Sequence, residues 1–187
     1  MRVIAGEYKG RPLQAVPGKG TRPTTDKVKE SIFNIIGPYF EGGWVLDLYA
    51  GTGGLGIEAL SRGAEKAIFV ELDPRAFQVV KTNLTALKLG DRAEVYRNDA
   101  GRALKALAKR EAQFDMVFLD PPYAKQQIAK EIAYMLETGL LRPSAWIVAE
   151  HDAADQLPET IGACTVQRIA TYGDTTITIY RYTTEGG

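Results

Sequence analysis

Residues Phe118 to Ala124 read "FLDPPYA". Two successive prolines continue neither a helix nor a central strand. The apolar run "FDMVFLD" must therefore leave its strand into a stiff, open turn. That turn presents a carboxylate (Asp120), the backbone carbonyls of Pro121 and Pro122, and an aromatic ring (Tyr123). The set suits a nucleobase that carries an exocyclic amine. Such an amine is a poor nucleophile because its lone pair is delocalised into the ring. Hydrogen bonds from it to a carboxylate and a carbonyl favour a pyramidal nitrogen with an available lone pair. Asp120 and the Pro121 carbonyl supply both acceptors, and Tyr123 offers a stacking face. The matching electrophile is a methyl group on a sulfonium, held in line for displacement. Positioning and local electrostatics carry such a reaction, without a metal or a covalent enzyme intermediate. The base must leave any stack to enter. A rigid turn after a strand would explain the prolines but not their company.

A second cluster lies upstream, in "DLYAGTGGLG". Gly51, Gly53 and Gly56 fit G-x-G-x-x-G between a strand and a helix, where a ligand approaches backbone N–H groups closely. Glu71 follows Gly51 by 20 residues, the spacing of a carboxylate that accepts from ribose hydroxyls. Two ligands compete for this loop. A dinucleotide such as NAD would lay its pyrophosphate there; S-adenosylmethionine would lay its methionine end there. Asp47 favours the second, since a carboxylate repels pyrophosphate and attracts an ammonium group. Asp99 is placed to accept from an adenine amine. Capping is the competing reading for Asp47 and Asp99, and tight helix-on-sheet packing for the glycines.

These residues need elements to position them. From Trp44 onward the sequence alternates strand and helix: "WVLDLYA", "LGIEALSR", "KAIFVEL", "RAFQVVKTNLTAL", "AEVYRND", "AGRALKALAKR", "FDMVFLD", "KQQIAKEIAYMLET", "AWIVAEH". Such alternation predicts a mostly parallel sheet covered on both faces. Asp47, Glu71, Asp99 and Asp120 then fall at the carboxyl ends of strands, the edge where such sheets bind ligands. Asp73-Pro74 is a helix start with an Asp cap. The tail "CTVQRIATYGDTTITIYRY" reads as a final antiparallel pair. Ahead of this core, residues 2–16 read as a hairpin around a Gly/Lys turn. "TDKVKESIFNII" reads as a helix capped by Thr25 or Asp26. The expected fold is α/β and Rossmann-like. It has a mostly parallel seven-stranded sheet, an antiparallel C-terminal hairpin and a small N-terminal β-hairpin extension. One domain over 1–187 is expected, with 1–40 a basic arm and helix and 41–187 the core.

The chain has 187 residues, enough for one domain with a real core. No apolar run approaches the ~18 residues of a membrane span. The start, "MRVIAGEYKG", lacks a signal-peptide hydrophobic region. One cysteine and one histidine exclude an internal disulfide and argue against a Cys- or His-rich metal centre. A cytoplasmic protein without metal or membrane partner is expected. Net charge is zero, yet residues 1–30 hold seven Lys/Arg against three acids. A basic arm on an acidic body points to a phosphate-bearing partner; a solvated surface segment is the alternative.

The pairing of "DLYAGTGGLG" with "DPPY" resembles the class I S-adenosylmethionine-dependent amino-methyltransferases. The segments "RVIAGEYKGRPL" and "TRPTTDKVKESIFNII" are similar to those of the bacterial 16S rRNA guanine-N2 methyltransferases, and the similarity covers essentially the whole chain. "RPTTDKVKESIFN" is the most family-specific stretch. The resemblance implies methyl transfer from S-adenosylmethionine to the N2 amine of one guanine in 16S rRNA, within an assembling or assembled small ribosomal subunit. It implies that Gly51, Gly53 and Gly56 hold the methionine part, Glu71 the ribose and Asp99 the adenine amine. Asp120, Pro121, Pro122 and Tyr123 would hold the guanine. Arg22, Pro23, Thr24 and Thr25 would close near cofactor and substrate. Arg2, Lys9, Arg11 and Arg22 would meet rRNA phosphates.

Other readings compete. Asp-Pro-Pro-Tyr also suits adenine-N6 methylation of DNA or RNA, although a DNA enzyme selecting its own target usually needs an added domain. Glutamine-amide methyltransferases typically carry asparagine before the prolines. A nicotinamide oxidoreductase is disfavoured by Asp47 and by the turn. A non-catalytic RNA-binding module is disfavoured by acids at every expected strand end. Cys164 reads as packing in a strand, His151 as a loop histidine after the fifth strand. Trp44 and Trp146 read as packing residues that begin strands.

Overall fold

A computed structural model describes residues 1–17 and 24–184. They fall into two compact units, Met1–Ala100 and Gly101–Gly187. The first contains α1 (Asp26–Ile36), β1 (Trp44–Asp47), α2 (Gly54–Ser61), β2 (Lys66–Val70), α3 (Pro74–Ala86) and β3 (Ala93–Tyr96). All its strand pairs are parallel, with Trp44 opposite Lys66 and Ala67 opposite Ala93. Two of the helices, α1 and α3, start at the caps the sequence offers. Thr25 caps α1 by accepting from the Val28 N–H at 3.3 Å. Asp73 caps α3 by accepting from the Ala76 N–H, with Pro74 at the first helical position. Every residue of α2 is buried, so this helix is enclosed rather than amphipathic.

The expected N-terminal hairpin is reduced to a single antiparallel bridge, Arg2 with Pro12. Only a few cross-strand bonds accompany it, such as Val3 N–H to the Arg11 carbonyl at 3.0 Å. The reason is where the other amides go. Ile4 and Ala5 donate to the Glu58 carboxylate of α2 at 2.9 and 3.1 Å, and Tyr8 donates to the Ser61 hydroxyl at 3.0 Å. Glu7 donates to the Ser61 carbonyl at 2.8 Å. Pro12 has no N–H to offer a ladder. The segment thus pairs with itself only briefly and is docked on α2 as well. Gly6 makes this possible: its φ is +91°, and a Cβ there would collide with the Ser61 carbonyl oxygen.

The second unit opens with α4 (Ala100–Lys109), which begins at the boundary residue, and continues with β4 (Phe114–Leu119), α5 (Ile128–Thr138), β5 (Leu141–Asp152), β6 (Thr160–Ile161), β7 (Cys164–Tyr172) and β8 (Thr175–Tyr182). β4 and β5 are parallel, with Val117 opposite Ile147. β5–β8, β8–β7 and β7–β6 are antiparallel, giving the order β4-β5-β8-β7-β6. The C-terminal pair turns at Gly173, as its sequence suggests. With three strands in the first unit, the described residues hold eight strands. The two-residue β6 is the addition to the seven expected.

Three sequence readings need correction here. β5 runs through Asp152, so His151 lies inside a strand and not in a loop. It is buried, with Nδ1 at 3.0 Å from the Asp152 carbonyl and Nε2 at 2.8 Å from the Thr178 hydroxyl. Those two partners satisfy both ring nitrogens, which is how a polar ring survives in a strand interior. Trp146 sits within β5 rather than at its start, with the Arg181 guanidinium 4.3 Å above its ring. The third strand ends at Tyr96, so Asp99 lies beyond it, directly before α4. Cys164 is buried at the start of β7, and burial pushes its thiol up to about 11. It is therefore an inert packing residue.

Candidate active site

In the first unit the glycine loop leaves β1 and enters α2, and its glycines do three different jobs. Gly51 has φ +59°, and nothing lies within 4 Å of where a Cβ would stand. The space on its Cβ side is open, as a loop that admits a ligand requires. Gly53 caps α2 in the left-handed region at φ +83°. Gly56 is helical, and a Cβ there would run into the Phe69 ring and come within 3.3 Å of the Asp47 carboxylate. The packing reading of the glycine pattern thus holds for Gly56.

The acids around the loop are tied to it. Glu71, directly after β2, accepts from the Gly51 N–H at 2.8 Å with one oxygen and from the Asp73 N–H at 2.8 Å with the other. Each oxygen keeps a second lone pair for a hydroxyl donor. Asp47, the last residue of β1, is buried and accepts from the Gly56 N–H at 3.1 Å. Burial pushes its carboxyl up to about 7, the Gly56 N–H opposes the shift, and the nearby Glu71 charge adds to it. A buried carboxyl poised near neutrality gains most from a cation placed beside it. Asp99 is half-buried, and its N–H donates to the Asn98 side chain at 2.9 Å.

In the second unit the Asp120–Tyr123 turn stands where expected. Asp120 directly follows β4 and is half-buried; Pro121 is buried. Tyr123 to Lys125 form one 3-10 turn, closed by the Lys125 N–H on the Pro122 carbonyl at 3.0 Å. The Pro122 carbonyl is engaged in that turn, which leaves Pro121 as the candidate carbonyl acceptor. Tyr123 is 38% exposed. Its hydroxyl meets the Thr175 hydroxyl at 2.5 Å. Burial pushes the phenol pKa up, the Thr175 bond pulls it back, and the Glu150, Asp120 and Asp152 carboxylates push it further up.

The basic arm is smaller than its charge count. Arg2, Lys9 and Arg11 are exposed. Arg2 pairs with Asp26 at 3.3 Å, and Arg11 donates to the Ala86 carbonyl at 3.2 Å. Lys29, one of the seven cations counted, is buried: its Nζ lies 3.3 Å from Glu58 and donates to the Arg2 carbonyl at 2.8 Å. It serves the interior. Thr25 uses its hydroxyl as the α1 cap. Lys19, Arg22 and Pro23 lie outside the described residues.

Sequence reasoning missed Glu58, Asn83 and Thr175. Glu58 sits in an otherwise apolar, glycine-rich helix, and that misplaced charge was the available signal. Asn83 is buried in α3. It accepts from the Gln14 N–H at 2.8 Å and donates to the carbonyls of Gln14 and Thr52 at 3.1 and 2.9 Å. One amide thus fixes both the N-terminal segment and the glycine loop. Nothing in its local sequence announces this, nor does anything mark Thr175 among its neighbouring threonines. Among the described residues no group of three or more His, Cys, Asp or Glu is arranged to hold a metal, and no helix is long and apolar enough to cross a membrane.

Parallel strands, an antiparallel C-terminal pair and a glycine loop after β1 define an α/β protein of the class I methyltransferase fold. The chain belongs to the bacterial small-subunit ribosomal RNA methyltransferase family, and the family model described as "Conserved hypothetical protein 95" matches residues 1–181. It is 58% identical over 181 residues to "Putative rRNA methyltransferase YlbH" of Bacillus subtilis, covering 97% of this chain and 98% of that one. It is 33% identical over 186 residues to ribosomal RNA small subunit methyltransferase D of Escherichia coli K12, covering 100% and 92%. The solved structure titled "Putative methyltransferase yhhF from Escherichia coli" superposes with a TM-score of 0.84 at 33% identity, covering 98% of each chain.

Proposed function

We propose that this protein transfers a methyl group from S-adenosylmethionine to the exocyclic N2 amine of a guanine in 16S rRNA. The observation that carries the reading is the Asp120–Tyr123 turn at the carboxyl end of β4, in a chain of this family. Membership supports the rRNA substrate; the turn supports an amine as the accepting atom.

The residues of the first unit fit the cofactor. Gly51 offers backbone with room for a ligand. Glu71 has acceptor capacity for two ribose hydroxyls, and Asp47 is a buried carboxyl that suits an ammonium group. Asp99 accepts from the adenine amine. Thr25, with Thr24 inside the family-specific stretch, contributes to closing near the cofactor. When bound, S-adenosylmethionine supplies a methyl group activated by its sulfonium. The chain's own part is positioning. Asp120 and the Pro121 carbonyl accept from the two N–H bonds of the target amine, which keeps its lone pair out of the ring. Pro122 stiffens the turn, and Tyr123 stacks on the base. Exposed Arg2, Lys9 and Arg11, with Arg22, contact phosphates. The substrate is a small ribosomal subunit, assembling or assembled, in the cytoplasm. Residues 1–187 act as one catalytic domain, 1–40 forming its basic arm.

The test uses S-adenosylmethionine labelled on the methyl group, incubated with the protein and small subunits from a strain lacking this gene. Label in N2-methylguanosine, absent with Asp120→Ala, is the expected result. Label in N6-methyladenosine keeps the chemistry but overturns the base. No transfer to subunits, naked rRNA or DNA overturns the reading.

A further inference from the structure

We propose that Thr175 is a positioning residue: its hydroxyl holds the far end of the Tyr123 ring and so sets the plane on which the target base stacks. The inference rests on the reading of the Asp120–Tyr123 turn as the base-holding site. Tyr123 stands on a single 3-10 turn of three residues, a short element that does little by itself to fix a ring. Tyr123 is 38% exposed as a residue, in keeping with a stacking role, so packing alone does not hold it. The tether at its hydroxyl supplies the constraint that packing leaves out. At 2.5 Å it lies at the short end of the hydroxyl–hydroxyl range.

Thr175 is well placed for this. It is the first residue of β8, paired with Asp152 of β5 on one side and with Tyr172 of β7 on the other. Two ladders therefore fix its backbone. The next residues, Thr176 and Thr178, are buried and hydrogen-bonded to Thr171 and His151. The β8 start is rigid where the Tyr123 turn is short. Burial first, and then the charges of Glu150, Asp120 and Asp152, raise the cost of ionising the phenol, with the Thr175 bond opposing them. It stays protonated at neutral pH, so either hydroxyl can donate to the other. A group positioned within about half an ångström by a second shell is worth far more in catalysis than one left loose.

Thr175→Val keeps the shape and removes the hydroxyl; Thr175→Ser keeps the hydroxyl. Tyr123→Phe removes the bond from the other side. Each is assayed for kcat and KM on small ribosomal subunits, for S-adenosylmethionine affinity and for melting temperature. Thr175→Val and Tyr123→Phe should each lose about tenfold in kcat/KM, the worth of one hydrogen bond in a positioning role. The double variant should be no worse than either single. Thr175→Ser should act as wild type, and cofactor affinity should not move. Wild-type kcat/KM in Thr175→Val, losses that multiply in the double variant, or a Thr175→Ser as impaired as Thr175→Val each overturn the inference. If Thr175→Val fails to fold, the Ser and Phe variants decide alone: Phe impaired and Ser intact supports it, any other pattern overturns it. A wild-type protein inactive on every nucleic acid overturns the functional reading and this inference with it, which the variant comparison on an active enzyme does not.

Discussion

Glu58 of α2 and Arg62, the residue that caps the C-terminus of that helix, form an ion pair at 2.8 Å with both side chains buried. Lys29 joins the same carboxylate at 3.3 Å, so one acid compensates two enclosed cations and also receives the amides of Ile4 and Ala5. Glu58→Ala should destabilise the protein by roughly 3–5 kcal/mol, the usual cost of stranding a buried partner. Burial holds the Lys29 ammonium below its ordinary range, and Glu58 works against that shift. A lysine lowered in the folded state gives stability that rises with pH, because the unfolded chain binds the extra proton. In Glu58→Ala the loss should therefore shrink as pH rises above neutrality. Chemical denaturation at two pH values checks both statements.

Asp47 carries the opposite dependence. Its carboxyl is raised to about 7, so between the ordinary carboxylate range and pH 7 the folded protein holds a proton that the unfolded chain has lost. Stability should fall as pH rises through that window and level off above it. Asp47→Asn removes the penalty while keeping an acceptor for the Gly56 N–H. It should melt higher than wild type at pH 8, by a margin that vanishes near pH 4. Its affinity for S-adenosylmethionine should fall, since the ammonium loses its partner. Thermal melts across pH and a titration with the cofactor decide this.

Gly51 of the loop and Gly56 of α2 should separate binding from stability. Gly51→Ala meets no atom but carries the left-handed strain of about 1 kcal/mol. It should fold with a modest loss and bind the cofactor poorly. Gly56→Ala would press on Phe69 and Asp47, and should cost about 1–3 kcal/mol by overpacking. Melting temperatures paired with cofactor titrations would show the two effects crossing over.

Charge reversal of the arm should sort surface from interior. Lys9→Glu with Arg11→Glu should weaken rRNA binding and flatten its salt dependence by about one phosphate contact for each residue, with stability nearly unchanged. Lys29→Glu should lose the fold instead, because it would face Glu58. Filter binding over a salt series separates them. Equal salt slopes for wild type and the Lys9/Arg11 variant would remove the arm from the RNA interface.

The parallel α/β pattern was legible because each strand was a short apolar run bounded by turn residues, and because Asp73-Pro74 and Thr25 are caps with direct physical meaning. The strand-end acids Asp47, Glu71 and Asp120 were legible for the same reason. What escaped was decided by long-range partners. The N-terminal hairpin pairs over a shorter length than its composition suggests, because the amides of Ile4, Ala5 and Tyr8 are claimed by Glu58 and Ser61, more than fifty residues away in sequence. Lys29 counts as a surface cation until that same carboxylate is known to enclose it. His151 reads as a loop residue because periodicity does not reveal a buried hydroxyl such as that of Thr178 on the neighbouring strand. Asp99 slipped past its strand because boundaries depend on ladder bonds rather than on composition.

The two cation-covered tryptophans have a use beyond packing. The chain has two, and they fall one to each compact unit: Trp44 beneath Lys66 and Trp146 beneath Arg181. Each indole is therefore a private fluorescent reporter. Replacing one by phenylalanine leaves emission from the other unit alone, so two single-tryptophan proteins watch the same denaturation from opposite halves of the chain. Coincident curves would describe one cooperative body; displaced midpoints would reveal a half that lets go first, and with it whether the glycine loop or the Asp120–Tyr123 turn belongs to the more durable part.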